Sequence, residues 1–287
     1  TAALAFGGFN GPPGTQNVAD TETWNGTNWT EVNNINTSRR HGGGNGTNTS
    51  ALYSGGYSGT PSYLADVESW NGTNWTEVNN LNTERQGSVA VGADNTTALD
   101  FGGNSNAANN LGVTELWNGT NWTEVNDLNT GKNNGGGAGS ATLALSYGGY
   151  TTTAIANTES WNGTNWTEIT ALNTARYFLA GNGTQTSALA SGGDTGSPTG
   201  ATEEFTKGGQ TVGAWSTVNS LNTAKAGTGT GIYTAALSFG GSDASGEIAN
   251  TESYDGTNWT EVNDMNTGRA LKAGIGTSTS ALAFSGY

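Results

Sequence analysis

The chain has no cysteine and only one histidine, one methionine and four prolines in 287 residues. Without cysteine there are no disulfides and no thiolate chemistry, and the redox compartment is left open. The lone histidine, His41, excludes a histidine-rich metal site. A Ser-His-Asp triad would have to use it, and no nucleophile-elbow pattern accompanies it. Positive charge is scarce: nine Lys plus Arg against 23 Asp plus Glu give a formal net charge of −14. That balance argues against nucleic acid and anionic membrane surfaces, which call for basic patches. No apolar run approaches the roughly 18 residues of a membrane span, and there is no signal-peptide pattern. The acidic loops lack EF-hand-like spacing for calcium, and no cofactor is expected. Large aliphatic side chains are also few. Leu, Ile, Val and Phe make up 41 of 287 residues, which with this net charge is the composition of a disordered chain.

What the chain does contain overrides that reading. A six-letter stretch, WNGTNW, runs from Trp24 to Trp29 and returns at Trp70, Trp117 and Trp161. A stretched fifth copy lies between Phe205 and Trp215, and a sixth begins YDGTNW at Tyr254. The first residues of successive copies are 46, 47, 44, 44 and 49 positions apart. A period in the forties denotes stacked supersecondary units. Trp fills ten of the twelve aromatic slots in these copies, so burial recurs in register and an ordered protein is expected.

Each unit reads as four β-strands. In the first, Ala2 to Gly8 is an apolar run closed by paired glycines, followed by a loop rich in Gly, Pro and Asn. DTETW alternates as a half-exposed strand, Asn25-Gly26 supplies a tight antiparallel turn, and Asn28 to Val32 returns. NNINTSRR then leads into a Gly-rich strand, Gly42 to Gly46, and the cycle restarts at Ala51. No stretch has helical periodicity. The expected fold is all-β, a six-bladed propeller of four-stranded antiparallel blades forming one domain over 1–287. The Gly-Gly strand occurs seven times, because TAALAFGG opens the chain and SALAFSGY closes it. The chain thus offers 25 strands where six blades need 24. A ring closed by the two termini is expected, with one terminal strand surplus; the alternative is a longer array.

A strand ending in Gly-Gly, a Glu two residues before an aromatic, a Trp on the next strand and a threonine-cation step into a Gly-rich strand together resemble the kelch repeat. In the fourth unit these are Gly148-Gly149, Glu159, Trp161, Trp166 and LNTAR to Arg176. The hairpin between the aromatics is two residues shorter than the usual kelch hairpin. The style of the repeat is similar to kelch-like repeats of bacterial and tailed-phage surface proteins. The resemblance implies that the outer-strand Trp residues pack between blades. One histidine and no cysteine exclude the copper centre of kelch-containing oxidases.

If the inner strand runs downward, the WNGTNW turns fall on the bottom face. The loops after Gly-Gly and the segments leading into each inner strand then fall on the top. The bottom turn is identical in four copies, while the top loops differ in all six. Recognition is placed on loops carried by a rigid scaffold, so the top face is the expected site. Six of the nine basic residues also converge there, three positions after an Asn in each unit: Arg39, Arg85, Lys132, Arg176, Lys225 and Arg269. Each unit also carries a Glu (Glu22, Glu68, Glu115, Glu159, Glu203, Glu252), so Glu-cation pairs such as Glu159 with Arg176 would staple blades. The alternative is a ring of donors holding anionic or hydroxyl-rich ligands at the channel mouth, as inner-strand arginines of some kelch domains do with acidic peptides. The residues after each cation vary. Arg40-His41, Gln86, Asn133 and Tyr177-Phe178 would line the mouth unevenly, with loop aromatics Tyr57 and Tyr150 able to stack on sugar faces.

The expected function is non-enzymatic recognition of a glycan or surface polymer in an extracellular or virion-surface setting, without nucleic acid or membrane insertion. A structural domain contacting protein partners in a larger assembly is the alternative. A glycan-acting hydrolase is the third reading. SYDGTNW at Ser253 is similar to the Asp-box of six-bladed sialidases but has one residue fewer between its Asp and Gly. Carboxylates in top loops, Asp20, Asp66 and Asp194, have nothing that fixes their separation.

Overall fold

The computed structural model describes residues 3–10, 16–59, 62–208, 213–277 and 280–285. These contain 28 strands and no helix. Three short strands, Tyr57–Gly59, Ser62–Tyr63 and Gly246–Glu247, belong to loops. The rest are the blade strands expected from the repeat. They form six sheets whose strands follow chain order from inner to outer edge. Blade 1 spans residues 43–78, blade 2 89–125, blade 3 136–169, blade 4 180–218 and blade 5 226–262. Blade 6 takes strands from both ends of the chain. The inner strands touch in a closed cycle, so the fold is a six-bladed β-propeller.

The core explains how so few aliphatics suffice. It consists of six separate clusters, one at each junction between blades. Each takes a side chain from the segment that links the blades (Ile35, Leu81, Leu128, Leu172, Leu221 or Met265), and the cluster with Leu172 also takes Leu179. Most of the remaining volume is aromatic. The outer-strand Trp meets the second strand of the preceding blade edge-on, as Trp75 meets Phe6 at 4.2 Å and Trp166 meets Phe101 at 4.8 Å. The Trp residues therefore pack between blades, and large rings supply area that short aliphatics would not.

The repeated turn is a clasp. Asn71 Oδ1 accepts from the backbone N–H groups of Thr73 and Asn74 at 3.0 and 2.9 Å. This leaves Thr73 O and Asn74 Oδ1 to accept from Asn33 Nδ2 of the preceding blade, at 3.0 and 2.9 Å. Asn79, Asn126, Asn219 and Asn263 repeat the contact at four further junctions. At the sixth junction both halves change together: Thr170 stands where the others have Asn, and the turn it would reach is the long fifth copy.

Paired glycines end each second strand because two demands meet there. Gly55 and Gly56 have φ of 64° and 113°, and Gly56 N–H donates to Arg85 O at the lead-in to blade 2, at 2.8 Å. A Cβ on Gly55 would lie 2.6 Å from that same carbonyl. The Gly-Gly step is where one blade is tied to the next.

In blade 6 the strand order from the axis is Leu271–Thr277, Ser280–Ser285, Ala3–Asn10, Gln16–Trp24 and Trp29–Val32. The two Gly-Gly strands run parallel, with equivalent residues opposite each other: Ala5 with Ala283 and Phe6 with Phe284. The N-terminal strand holds the slot at the top. Gly8 N–H donates to Arg39 O at 3.0 Å, and Phe9 pairs with Ala270, as Tyr57 pairs with Arg40 in blade 1. Its side chains also enter two of the cores. The C-terminal strand is the surplus one. It pairs with the inner strand in the register of the other blades, Gly274 opposite Ala283 as Gly44 is opposite Tyr53.

Either strand can therefore serve the slot, which predicts redundancy. Deleting residues 280–287 leaves a cooperative thermal transition within a few degrees of the full chain. Deleting both 280–287 and 1–10 abolishes it, because blade 6 then lacks its second strand. Calorimetry of the two truncations checks this.

Candidate functional site

The top face is built outward from a set of buried carboxylates. Glu203 on the third strand of blade 4 accepts from the backbone N–H groups of Asn173 and Thr174, at 2.7 and 3.3 Å, and from Arg176 Nη1 at 2.7 Å. These three donors lie on the segment arriving from blade 3. Each Glu thus receives the incoming chain, and its cation comes from the segment leading into its own blade. Arg176 pairs with Glu203 rather than Glu159, and Arg39, Arg85 and Arg269 pair with Glu68, Glu115 and Glu22.

The two lysine positions use a different device. Lys132 Nζ is held by Asn157 Oδ1 at 3.0 Å and Lys225 Nζ by Asn250 Oδ1 at 2.7 Å, with Glu252 4.0 Å away. The position two residues before the Glu is Asn only in these two units, the ones whose cation is Lys. A compact ammonium does not span the site as a guanidinium fork does, and the Asn fills the gap. Burial pushes both lysines down to about 8, opposed chiefly by Glu159 and Glu252. All six cations are 0–3% exposed. They do not line the channel mouth: carboxylates hold the arginines, and Asn157 and Asn250 the lysines, inside the blades.

What reaches the mouth are the residues one and two positions later. His41, Gly87, Asn134 and Phe178 have φ of 59°, 70°, 55° and 52°. Each left-handed residue passes a hydrogen bond to the next blade: Gly87 N–H to His41 O at 2.7 Å, Asn134 N–H to Gly87 O at 2.8 Å, Phe178 N–H to Asn134 O at 2.8 Å and Gly227 N–H to Phe178 O at 3.2 Å. Left-handed backbone at His and Phe costs on the order of 1–3 kcal/mol each, and this collar of bonds offsets it. His41 and Phe178 belong to blades that face each other across the ring, yet their rings are 5.9 Å apart. They stopper the channel. Below them the Gly-rich inner strands close in to a space of about 40 Å³, room for water only.

Above the stopper lies a basin of about 510 Å³, lined by His41, Gln86, Asn104, Asn109, Asn110, Asn133, Asn134, Tyr150, Thr151, Thr152, Tyr177 and Phe178. Among the described residues no Lys, Arg, Asp or Glu lines it. Tyr177 is 5.1 Å from Tyr150 and 5.0 Å from Phe178, forming an aromatic wall. The amides are set by one another: Asn133 Nδ2 donates to Asn110 Oδ1 at 2.6 Å and Asn134 Nδ2 to Asn133 Oδ1 at 2.6 Å. Beside it a second basin of about 400 Å³ is lined by Phe9, Gln16, Asn17, Ser38, Arg40, Tyr57, Ser58 and Gly59.

Of the residues expected at the site, His41, Gln86, Asn133, Tyr150, Tyr177 and Phe178 come together in the first basin, and Arg40 and Tyr57 in the second. Arg39, Arg85, Lys132, Arg176, Lys225 and Arg269 stay in the blades. Sequence reasoning missed Asn104, Asn109 and Asn110. Their signal is present in the loop NSNAANNLGV, which carries four of its ten residues as Asn. Asp20 and Asp66 lie near Asn34 and Asn80 of their own blades, and Asp194 closes its own loop through Gly196. Among the described residues no group of three or more His, Cys, Asp or Glu is placed to hold a metal ion. No protein-family model matches the chain, and no curated protein matches it in sequence.

One buried acid stands apart. Asp100 accepts from Ser54 Oγ of blade 1 at 2.5 Å, and its other oxygen is 3.9 Å from Arg85. Burial pushes its carboxyl from 3.8 up to about 6, against the pull of Arg85 and the Ser54 bond.

These buried charges have measurable effects on stability. Arg176→Met leaves Glu203 without its cation and lowers unfolding free energy by about 3–5 kcal/mol, measured by denaturant titration. For Asp100 the folded protein holds the proton more tightly than the unfolded chain. Its contribution is therefore complete below pH 3.8 and is lost as pH rises to about 6. Asp100→Asn removes that decline, so the variant melts higher than the wild type at pH 7 and the difference vanishes near pH 4.

Proposed function

We propose that this propeller is a kelch-like, non-enzymatic recognition module whose top basin binds a hydroxyl-rich glycan or surface polymer. The observation that carries the reading is the lining of the first basin: side-chain amides, hydroxyls, aromatic rings and the His41 imidazole, with no Lys, Arg, Asp or Glu among the described residues. Amides that already hold one another in place present fixed donors and acceptors to hydroxyl groups. The faces of Tyr150 and Tyr177 offer apolar area with a polar tip, suited to the C–H side of a sugar ring. A rigid, concave and asymmetric site on an otherwise repetitive scaffold fits specific binding. A plugged channel and the absence of convergent carboxylates from the described lining of this basin speak against the hydrolase reading. An extracellular or virion-surface setting belongs to the same proposal.

A glycan array with the intact chain tests it. Selective binding is expected, abolished by Tyr177→Ala or Asn110→Ala and unchanged by Leu143→Ser, an exposed residue in an inner hairpin away from the basin. A flat array would reject glycan binding in favour of the assembly reading. Turnover of a bound glycan would overturn the non-enzymatic one.

A further inference from the structure

The side-chain amides of the first basin divide into two groups. Three are committed to one another and to the loops around them. Asn110 Nδ2 donates to Thr151 O of blade 3 at 3.0 Å, while its Oδ1 accepts from Asn133 at 2.6 Å. Asn133 Oδ1 in turn accepts from Asn134 at 2.6 Å. A chain of three carboxamides thus crosses the seam between blades 2 and 3. It ends on Asn134 Oδ1, which is buried, and a Cβ on Gly87 would lie 2.7 Å from that oxygen. The chain therefore stops beside Gln86.

Gln86 and Asn104 are the uncommitted pair. Their backbones exchange hydrogen bonds of 2.9 and 2.8 Å, an isolated antiparallel bridge at the mouth. Residues opposed in this way project to one side with Cβ atoms about 4.5–5.5 Å apart. Equivalent bridges join Arg40 to Tyr57, Asn133 to Tyr150 and Tyr177 to Asp194. Among the described bridges only that of blade 2 joins two carboxamides. Both residues are half-buried and both line the basin. Asn104 Oδ1 accepts from Asn110 N–H at 2.8 Å. Among the described residues, Asn104 Nδ2 and both polar ends of the Gln86 amide make no hydrogen bond, and none of these three atoms is enclosed by protein.

The same basin has an apolar floor. Phe178 is half-buried, with its ring 5.0 Å from Tyr177. The collar residue that follows Gln86 is Gly87, so blade 2 brings no collar side chain over that floor. We propose that Gln86 and Asn104 form an amide-reading subsite, and that the bound glycan carries an N-acetylated amino sugar whose acetamido group lies between this pair and Phe178. This rests on the glycan reading of the basin. The acetamido carbonyl takes the Asn104 Nδ2 donor, its N–H takes the Gln86 Oε1 acceptor, and its methyl takes the ring. A hydroxyl at the same carbon satisfies one of the amides and sets a polar group against the ring, which costs hydration without return. Sites built on such hydrogen bonds discriminate against analogues that leave their polar groups unmatched. An amino sugar without its acetyl group is an ammonium, and no Asp or Glu lines the basin to meet it.

The test is an array of matched oligosaccharides in which the same sugar bears an acetamido, a formamido or a hydroxyl group, with acetyl-lysine peptides printed beside them. Wild type, Gln86→Met, Asn104→Asp and Leu143→Ser are probed, each checked for an unchanged melting temperature. Asn104→Asp keeps the oxygen that accepts from Asn110 and removes the donor, while Gln86→Met keeps the length of the side chain and removes both polar ends. For the wild type, the acetamido form is expected to bind about tenfold or more tighter than the hydroxyl form, the scale of two hydrogen bonds. The formamido form, which lacks the methyl, falls between them. Gln86→Met and Asn104→Asp each lower the ratio by about threefold or more, and Leu143→Ser leaves it unchanged. Equal binding of acetamido and hydroxyl forms by the wild type overturns the amide-reading subsite while the glycan reading stands. A preference that survives both variants has the same meaning. Binding of acetyl-lysine peptides without any glycan overturns the sugar as bearer of the group, and a wholly flat array removes both this proposal and the one beneath it.

Discussion

The propeller depends on one kind of carboxylate. Each blade places a Glu on its third strand where the chain arriving from the previous blade has backbone donors to satisfy. In blade 3, Glu159 takes the N–H groups of Asn129 and Thr130 and the Nδ2 of Asn129. The same Asn129 Nδ2 also reaches Trp166 O on the outer strand. The link between blades is thereby bound to the sheet it is about to enter, and the cation that follows neutralises the group that binds it. Buried charge of this kind contributes little net stability. What it does is fix where the inner strand starts, and so which residues are carried to the mouth of the channel.

Much of the fold was legible because the repeat is strict. The WNGTNW ruler fixes the blade count, and the strand signals between its copies match the sheets found, including the extra Gly-Gly strand. The side-chain partners were not legible at the same level. Pairing by unit joins Glu159 to Arg176, whereas the chain path joins Arg176 to Glu203, because a blade begins part-way through the sequence repeat. The linker aliphatics, Ile35 through Met265, lie in segments with strand-poor, Asn-rich composition, and only the seam geometry shows that each fills a core.

The site was half legible for a related reason. Arg176 and Tyr177 are neighbours in sequence, but the buried Glu draws one inward while the left-handed turn at Phe178 throws the other outward. A positive φ at Phe or His carries no sequence signature, so the collar could not be anticipated. The contrast between a constant turn and variable loops has a structural origin on its constant side. Asn71, Thr73 and Asn74 each have a bond to make to their own turn or to the preceding blade, so their constancy reflects the seam. Loop variation then gives weaker support to recognition than the composition of the basin does.

The coupled substitutions at the seams carry a consequence for assembly. Lys132 works with Asn157 and Lys225 with Asn250, and Thr170 faces the one unit that lacks the short turn. A chain of near-identical modules risks docking a blade against the wrong neighbour while it folds. The Lys-Asn pairs each match a blade to its own lead-in, whereas the Thr170 seam is a joint between blades that lacks the amide clasp of the other five. Five seams share one clasp, so only the joint between blades 3 and 4 has a label of its own, a single odd tooth in an otherwise uniform ring.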